Sequence, residues 1–502
     1  MNPRRGRIQI LGAVLVCALA GQLGAGIAAG QADEGPVSAS VQSTPASPPL
    51  APGFVGVSLE YDGSHRYTGG DPRNVDPVLL ALLGQLASRK ALVMRIGGNS
   101  ADATWWPIRR MRPPGGVKYA LTDNWLRTTR ALASRLGAHL IMGINLAAGN
   151  PAIAVAEARA FLRGLGRQYI QAFEVGNEPD LYNVFPWYRD RLGRVRWARN
   201  ASWNLRAYVQ EFARWWAALP KLPLAGPAFA QLQQSWVGGL GNFLRADPEA
   251  RIVTIHRYPL RAGVSDPTSA AYPSIANLLS DQASSGIAQA VAPYVGLAHG
   301  RHLPFRVGEI NSASSYGQHG VSDTFASALW VLDTLFNLAS VGADGVNLHS
   351  LPGAAYELFT SRHSGRLWEA FVHPEYYGLL MFRQAFPPFA HLLQVNAPGG
   401  PVKIWATQAR DGRTRVVLIN KDTTSSHQVR LQVPGASGHA SLEWLQAPSP
   451  SSTRGITLGR RSFGDETTTG TLPGAPQTES AFPVLGSYVI NMPAASAALL
   501  TQ

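Results

Sequence analysis

The sequence predicts a (β/α)8 barrel (the TIM-barrel class of α/β fold) followed by a C-terminal antiparallel β-sandwich domain. Three observations carry that prediction. Eight short apolar runs alternate with helical patterns between residues 53 and 385. After about residue 386 the texture changes to strands of period two, with no convincing helix. Glutamates close the fourth and the seventh apolar run, and the carboxyl ends of the strands are where such barrels keep their chemistry.

The eight runs are residues 54–61, 92–97, 139–145, 170–176, 222–226, 252–258, 305–309 and 345–349. Several are almost uninterrupted in their apolar character, as strands buried on both faces require. Helical signals fall between them. Asp76-Pro77 opens one helix, with Leu79, Leu82, Leu83 and Leu86 on one face. Thr122 caps a second that ends at Gly137, and residues 323–341 form a long apolar third. Repeated β-then-α units favour a closed parallel barrel over an open sheet. An open sheet often carries a glycine fingerprint after its first strand, and Asp62-Gly63-Ser64 is not one. The tail strands are residues 402–407, 414–420, 428–433, 441–445 and 487–492, with Asp411-Gly412 turning between the first two. Residues 33–52 are rich in Ser, Pro and Ala and have the composition of a linker, but residues 37–41 alternate and allow one strand. The expected organisation is therefore an export signal over 1–32, a linker over 33–52 that contributes one strand to the β-domain, a barrel over 53–385 and a sandwich over 386–502.

The export signal rests on Arg4, Arg5 and Arg7 ahead of an apolar stretch from Ile8 to Ala20, with cleavage expected near residues 29–32. The alternative is a retained anchor, since residues 8–29 are just long enough to cross a bilayer. With cleavage, the chain is secreted, extracellular or periplasmic, and has no stable membrane insertion. Cys17, the one cysteine of the chain, lies within this stretch, so the mature chain has no thiol and no disulfide. Net charge is +13, from 44 Lys and Arg against 31 Asp and Glu. One reading is simply a soluble, basic surface; the sharper one is attraction of an anionic partner. No nucleic-acid motif is present, so an acidic polymer of another kind is the better match and nucleic acid is excluded as partner.

The chemistry is read from two strand ends. The fourth run closes as Phe173-Glu174-Val175-Gly176-Asn177-Glu178-Pro179, and the seventh as Phe305-Arg306-Val307-Gly308-Glu309. Strands four and seven lie on opposite arcs of an eight-strand ring, which sets two carboxyl groups facing one another. Retaining hydrolysis of a glycosidic bond needs that pair about 5–5.5 Å apart: one protonates the leaving oxygen, the other attacks the anomeric carbon. A lone glutamate is most often a surface group or half of a structural ion pair; the pairing at two strand ends is what singles these out.

At these residues the sequence resembles glycoside hydrolase family 79, the β-glucuronidase and heparanase-like enzymes. The resemblance is carried by Met94-Arg95-Ile96-Gly97-Gly98-Asn99-Ser100, Glu174-Val175-Gly176-Asn177-Glu178-Pro179-Asp180, Gly308-Glu309-Ile310-Asn311-Ser312, Val321-Ser322-Asp323-Thr324-Phe325 and Gly345-Val346-Asn347-Leu348-His349, and in the tail by Val416-Val417-Leu418-Ile419-Asn420-Lys421-Asp422. It implies retaining cleavage of a β-linked glucuronic acid unit of a glucuronide or uronic-acid-containing polysaccharide, with no metal and no organic cofactor. It implies Glu178 as acid/base, Glu309 as nucleophile, Asn177 on the sugar 2-hydroxyl and Tyr258 orienting the nucleophile. Glu60 and Asp102 would contact hydroxyls beyond the reacting carbon, and His349 and Tyr356 would hold the uronate carboxylate. Plainer alternatives stand beside five of them: rim packing for Tyr258, loop packing for Tyr356, an inert carboxylate for Glu60, a turn cap for Asp102 and a satisfied core group for His349. In the segment after Glu309 the one aromatic hydroxyl is Tyr316.

Three rivals stand beside this reading. A glycosidase of the same clan acting on a neutral sugar keeps the barrel and both glutamates. A secreted carbohydrate-binding protein keeps the pocket without turnover. A basic surface-adhesion protein uses the charge alone.

Overall fold

A computed structural model describes residues 35–87, 91–230, 235–246, 249–365, 367–436 and 438–502; the expected export signal lies outside the described residues. Barrel strands one to eight are Val55–Glu60, Val93–Gly97, His139–Ile144, Ile170–Val175, Leu224–Phe229, Ala250–Arg257, Phe305–Ile310 and Gly345–Ser350. They pair in parallel in chain order, and strand eight closes on strand one from Val346–Val55 to Ser350–Leu59. The closed barrel and the β-region that follows bear out the predicted fold class.

Local chemistry explains the helix starts. Asp76 Oδ1 accepts the Val78 and Leu79 N–H groups at 2.8 and 3.2 Å, capping Pro77–Leu86. Thr122 Oγ1 accepts from Trp125 N at 3.1 Å, and Asp123–Leu136 ends on Gly137 in the left-handed conformation, φ 60°. Phe325–Ser340 is buried along nearly all of its length, because the barrel covers one side and the β-region the other. Strand five runs on to Phe229, through a proline at 227 where the sequence pattern stops at 226.

The β-region is one ladder rather than two separate sheets. In order, its path joins 457–458, 440–446, 496–501, 414–420, 402–408, 391–396, 37–45, 427–432 and 488–492. Val37–Pro45 pairs antiparallel with His391–Asn396 and parallel with His427–Gln432, so it joins the two layers. Side chains from both layers, among them Val41, Leu418, Leu431, Leu442, Ile490 and Leu500, share one core. Alternate residues of Thr414–Asn420 face the other way: Val417 and Ile419 belong to the large core shared with the barrel helices. Among the described residues no helix is long and apolar enough to cross a membrane.

Candidate active site

Barrel strands present every second side chain to the interior, and the ends of strands one, two, four, six, seven and eight build one cluster of charge. At its centre is Arg95 on strand two, fully buried. Its Nε donates to Glu174 Oε2 (2.5 Å), Nη1 to Glu309 Oε2 (2.7 Å) and Ser58 Oγ (3.1 Å), and Nη2 to Asn177 Oδ1 (2.8 Å). One guanidinium thus ties strands one, two, four and seven together, using the forked donor geometry that distinguishes arginine from lysine.

Glu309 closes strand seven. Its second oxygen accepts the Tyr258 hydroxyl at 2.8 Å, and His349 Nδ1 lies 3.7 Å from Oε2. Burial by itself would raise the Glu309 carboxyl. The charges of His349, His256 and Arg95 and the Tyr258 hydroxyl outweigh burial and hold it well below the usual carboxylate range, so it is ionised at neutral pH. Conversely, burial would lower His349, but the carboxylates of Glu309 and Glu60 raise it. Burial first, then the Glu309 charge, keeps the Tyr258 hydroxyl protonated far above its ordinary range, so it remains a donor.

Glu178 follows strand four. Gly176 and Glu178 both have positive φ, 84° and 49°, and this local reversal turns the chain so that Asn177 and Glu178 both line the pocket. His256 Nδ1 lies 3.1 Å from Glu178 Oε1, while its buried Nε2 has no partner among the described residues. A carboxylate oxygen of Glu178 and one of Glu309 lie within 4.8 Å of each other. They sit at the floor of a cavity of about 670 Å³ that Tyr258, His349 and Tyr356 also line.

Glu60, Asn177, Tyr258, His349 and Tyr356 therefore converge with the two glutamates. Glu60 is held in place rather than free: Asn99 N–H donates to Oε1 (3.0 Å) and Ser100 N–H to Oε2 (2.7 Å). That close approach requires Gly98, where an added Cβ would sit 2.2 Å from the carboxylate. Asn177 Nδ2 donates to Asn99 Oδ1 at 3.1 Å. Asp102 borders the same cavity but is already saturated. Oδ1 accepts Leu146 and Ala147 N–H (3.0 and 3.1 Å), and Oδ2 accepts Asn177 N–H and the Tyr182 hydroxyl (3.1 and 2.6 Å). Its carboxylate fixes the loops around Asn177.

Sequence reasoning did not single out Arg95, Glu174 or His256. The signal was available: a lone charge inside an apolar strand must be paired, and alternation along strand six places Thr254, His256 and Tyr258 on one face. Beyond Glu309, Ser315, Tyr316 and Gly317 are three successive left-handed residues, φ 61°, 70° and 76°. The N–H groups of Tyr316 and Gly317 donate to no described residue, and successive N–H groups in such turns form anion-binding concavities.

One donor atom each from Glu178, His256 and Glu309 would together suit a divalent ion by type. Both Glu309 oxygens, however, already face Arg95 and Tyr258, and a second cation would have to lie beside that guanidinium. The donor set fits a metal poorly.

No family model matches the chain. A curated β-glucuronidase of Neurospora crassa is 26% identical over 350 residues, 62% of this chain and 60% of its own length, so the chain matches rather less than two thirds of that relative. A curated β-glucuronidase of Aspergillus niger is 25% identical over 490 residues, 86% of each chain. These relatives bear out the resemblance to β-glucuronidases carried by the motifs. Among solved structures, a 4-O-α-L-rhamnosyl-β-D-glucuronidase from Fusarium oxysporum superposes with a TM-score of 0.70 at 22% identity, covering 93% of this chain and all of its own. A GH51 arabinofuranosidase from Xanthomonas axonopodis pv. citri gives 0.67 at 15% identity, covering 93% and 99%. Both likenesses concern the fold.

Proposed function

We propose that this chain is a retaining β-glucuronidase working by double displacement. The observation that carries the reading is the pair of carboxylates, with oxygens of Glu178 and Glu309 within 4.8 Å at the floor of one cavity. That spacing suits direct attack by a carboxylate and leaves no room for an interposed water, which an inverting pair needs at about 6.5–9.5 Å. Glu309, ionised by its neighbours, attacks the anomeric carbon. Glu178 gives its proton to the leaving oxygen and afterwards takes one from the incoming water. Tyr258 and Arg95 hold the nucleophile's two oxygens, and Asn177 meets the sugar 2-hydroxyl. Glu60 contacts the distal hydroxyls, and Asp102 acts through the loops it fixes. The uronate carboxylate falls to His349, Tyr356 and the free N–H groups of the 315–317 turn. The likeness to two β-glucuronidases supports the choice of sugar. We propose further that the chain is exported, which the mass of the mature N-terminus would check.

The test is a panel of aryl glycosides. The unaltered chain is expected to release the aglycone from β-glucuronides and to be insensitive to chelators. Glu309→Ala should lower kcat at least about 10⁴-fold, and Glu178→Ala should spare substrates with acidic leaving groups, which need little protonation. Equal or better turnover of the β-glucoside or β-xyloside would replace this reading with the neutral-sugar one.

A further inference from the structure

Asn311 stands two residues beyond Glu309, yet it is fully buried and does not line the cavity. The ladder between strands seven and eight ends at the pair Ile310–Leu348. Beyond that pair the Asn311 side chain continues it, because a primary amide carries the donor and acceptor that a peptide group would supply. Its Nδ2 donates to the carbonyls of His349 at 2.9 Å and Tyr356 at 3.3 Å, and its Oδ1 accepts Ser312 N–H at 2.6 Å. Both carbonyls belong to residues assigned to the uronate carboxylate. Glu375, in the first turn of helix Pro374–Ala385, faces Asn311 from behind and is also buried. Burial holds the Glu375 carboxyl well above the usual carboxylate range, and Asn311 offsets this only in part. No charge therefore stands behind the amide to draw it away from the two carbonyls.

Tyr356 is fixed from its other side by the left-handed turn. Ala355 N–H donates to the Tyr316 carbonyl at 2.8 Å. Gly317 packs so closely that an added Cβ would fall 2.9 Å from the Tyr356 ring and 3.1 Å from its backbone nitrogen. The His349 and Tyr356 rings are 5.8 Å apart. His349, Tyr356 and the turn thus form one unit, and Asn311 bonds that unit to the strand that carries Glu309. The nucleophile's own oxygens are held separately, by Arg95 and Tyr258.

We propose that Asn311 is a specificity-determining positioning residue: it sets the distance between the nucleophile and the loops that receive the sugar's carboxylate. Preference for an acidic over a neutral sugar follows from that distance. The inference rests on the glucuronidase reading, in which His349, Tyr356 and the 315–317 turn meet the uronate. The sugar ring fixes how far the carboxylate lies from the anomeric carbon. A receiving loop displaced by about 1 Å forfeits charge-assisted bonds to a carboxylate, while a hydroxymethyl group at the same place has fewer to lose.

The experiment compares 2,4-dinitrophenyl β-glucuronide with the matching β-glucoside, whose acidic leaving group makes even slow turnover measurable. In the unaltered chain kcat/KM should favour the glucuronide. Asn311→Ala should shrink that preference at least about tenfold, chiefly through a higher KM for the glucuronide. Gly317→Ala is the second variant, beside the exposed Ser315 and Tyr316 and outside the core. Its Cβ displaces Tyr356 with Asn311 intact, so the preference should shrink in the same way; it carries the test should Asn311→Ala fail to fold. A merely structural role would lower both substrates alike. Equal loss on the two sugars in the folded variants, or an unchanged ratio, overturns the proposal. A chain with no glucuronide preference before any substitution overturns the parent reading and this one with it, whereas a preference that survives Asn311→Ala overturns this one alone.

Discussion

Arg95 links the candidate catalytic groups more directly than either glutamate does, since it contacts Glu174, Glu309 and Asn177 at once. Removing one partner of a buried ion pair leaves an uncompensated charge, at about 3–5 kcal/mol. Arg95→Leu is therefore expected to lower unfolding free energy by about that amount in denaturant titration and to abolish turnover, since Glu309 and Glu174 lose their shared cation. Arg95→Lys keeps the charge but cannot span three acceptors; it should recover most of the stability and little of the rate. Tyr258→Phe tests the other oxygen. Its hydroxyl bonds the charged form of Glu309, so deletion raises the carboxyl toward its ordinary range. The acidic limb of kcat/KM should move to higher pH, with kcat down roughly tenfold and KM nearly unchanged; an unmoved limb would remove Tyr258 from the site. At this scale the sequence was informative where position carried meaning. Glu178 and Glu309 stand out because each ends a strand, whereas Arg95 and His256 lie within strands, where apolar patterning treats a single charge as noise.

Elements were legible wherever a local signal specified them. Asp76, Thr122 and Gly137 mark helix ends through hydrogen bonds and dihedral preferences that act within a few residues. The two-residue strands at Tyr188–Arg189 and Val195–Arg196 are too short for any period to reveal, and the residues flanking them, Trp187 and Ala198, line the cavity. The hairpin Phe359–Ser364 with Leu367–Val372, which leads into helix Pro374–Ala385, was also missed. His373 joins that hairpin to the helix, its Nε2 2.9 Å from Thr360 Oγ1. Burial, only partly offset by Asp323, lowers its pKa to about 4. The folded state therefore resists protonation that the unfolded chain accepts near 6.5. Stability from this group is complete above about pH 6.5 and is lost as pH falls through about 4, by about 3 kcal/mol at most. Denaturant titrations from pH 7.5 to 4 should show that slope, and His373→Gln should flatten it. A second junction is the Lys421–Asp333 pair at 2.7 Å, with both side chains buried, between strand Thr414–Asn420 and helix Phe325–Ser340. Lys421→Met should destabilise by about 3–5 kcal/mol, and adding Asp333→Leu should restore most of it.

At the scale of the whole molecule, the alternation of apolar runs established the barrel, because closure of eight parallel strands needs only their order and the helices between them. The β-region was legible as strands but not as one ladder, since register and layer depend on contacts far apart in sequence. Val37–Pro45 shows the difference. Its alternating pattern permits a strand, yet nothing within those nine residues says that they pair on both sides with chain far away in sequence, from Pro45 with Leu393 to Val37 with Val429. Ala39 and Val41 point into the shared core, and the backbone supplies partners to His391–Asn396 and His427–Gln432 together. Without it those two strands become neighbouring open edges, exposing unpaired N–H and C=O groups and part of the apolar interior. A chain beginning at residue 46 should thus unfold roughly 5 °C or more below one beginning at residue 36, and should associate on standing while the longer chain stays monodisperse. Calorimetry with light scattering reads both effects. Identical midpoints and particle sizes would mean that the ladder holds without its linking strand. If the barrel unfolds together with the β-region, as expected of strand Thr414–Asn420 with one face in each core, the truncated chain will show a single transition at the lower temperature and not two.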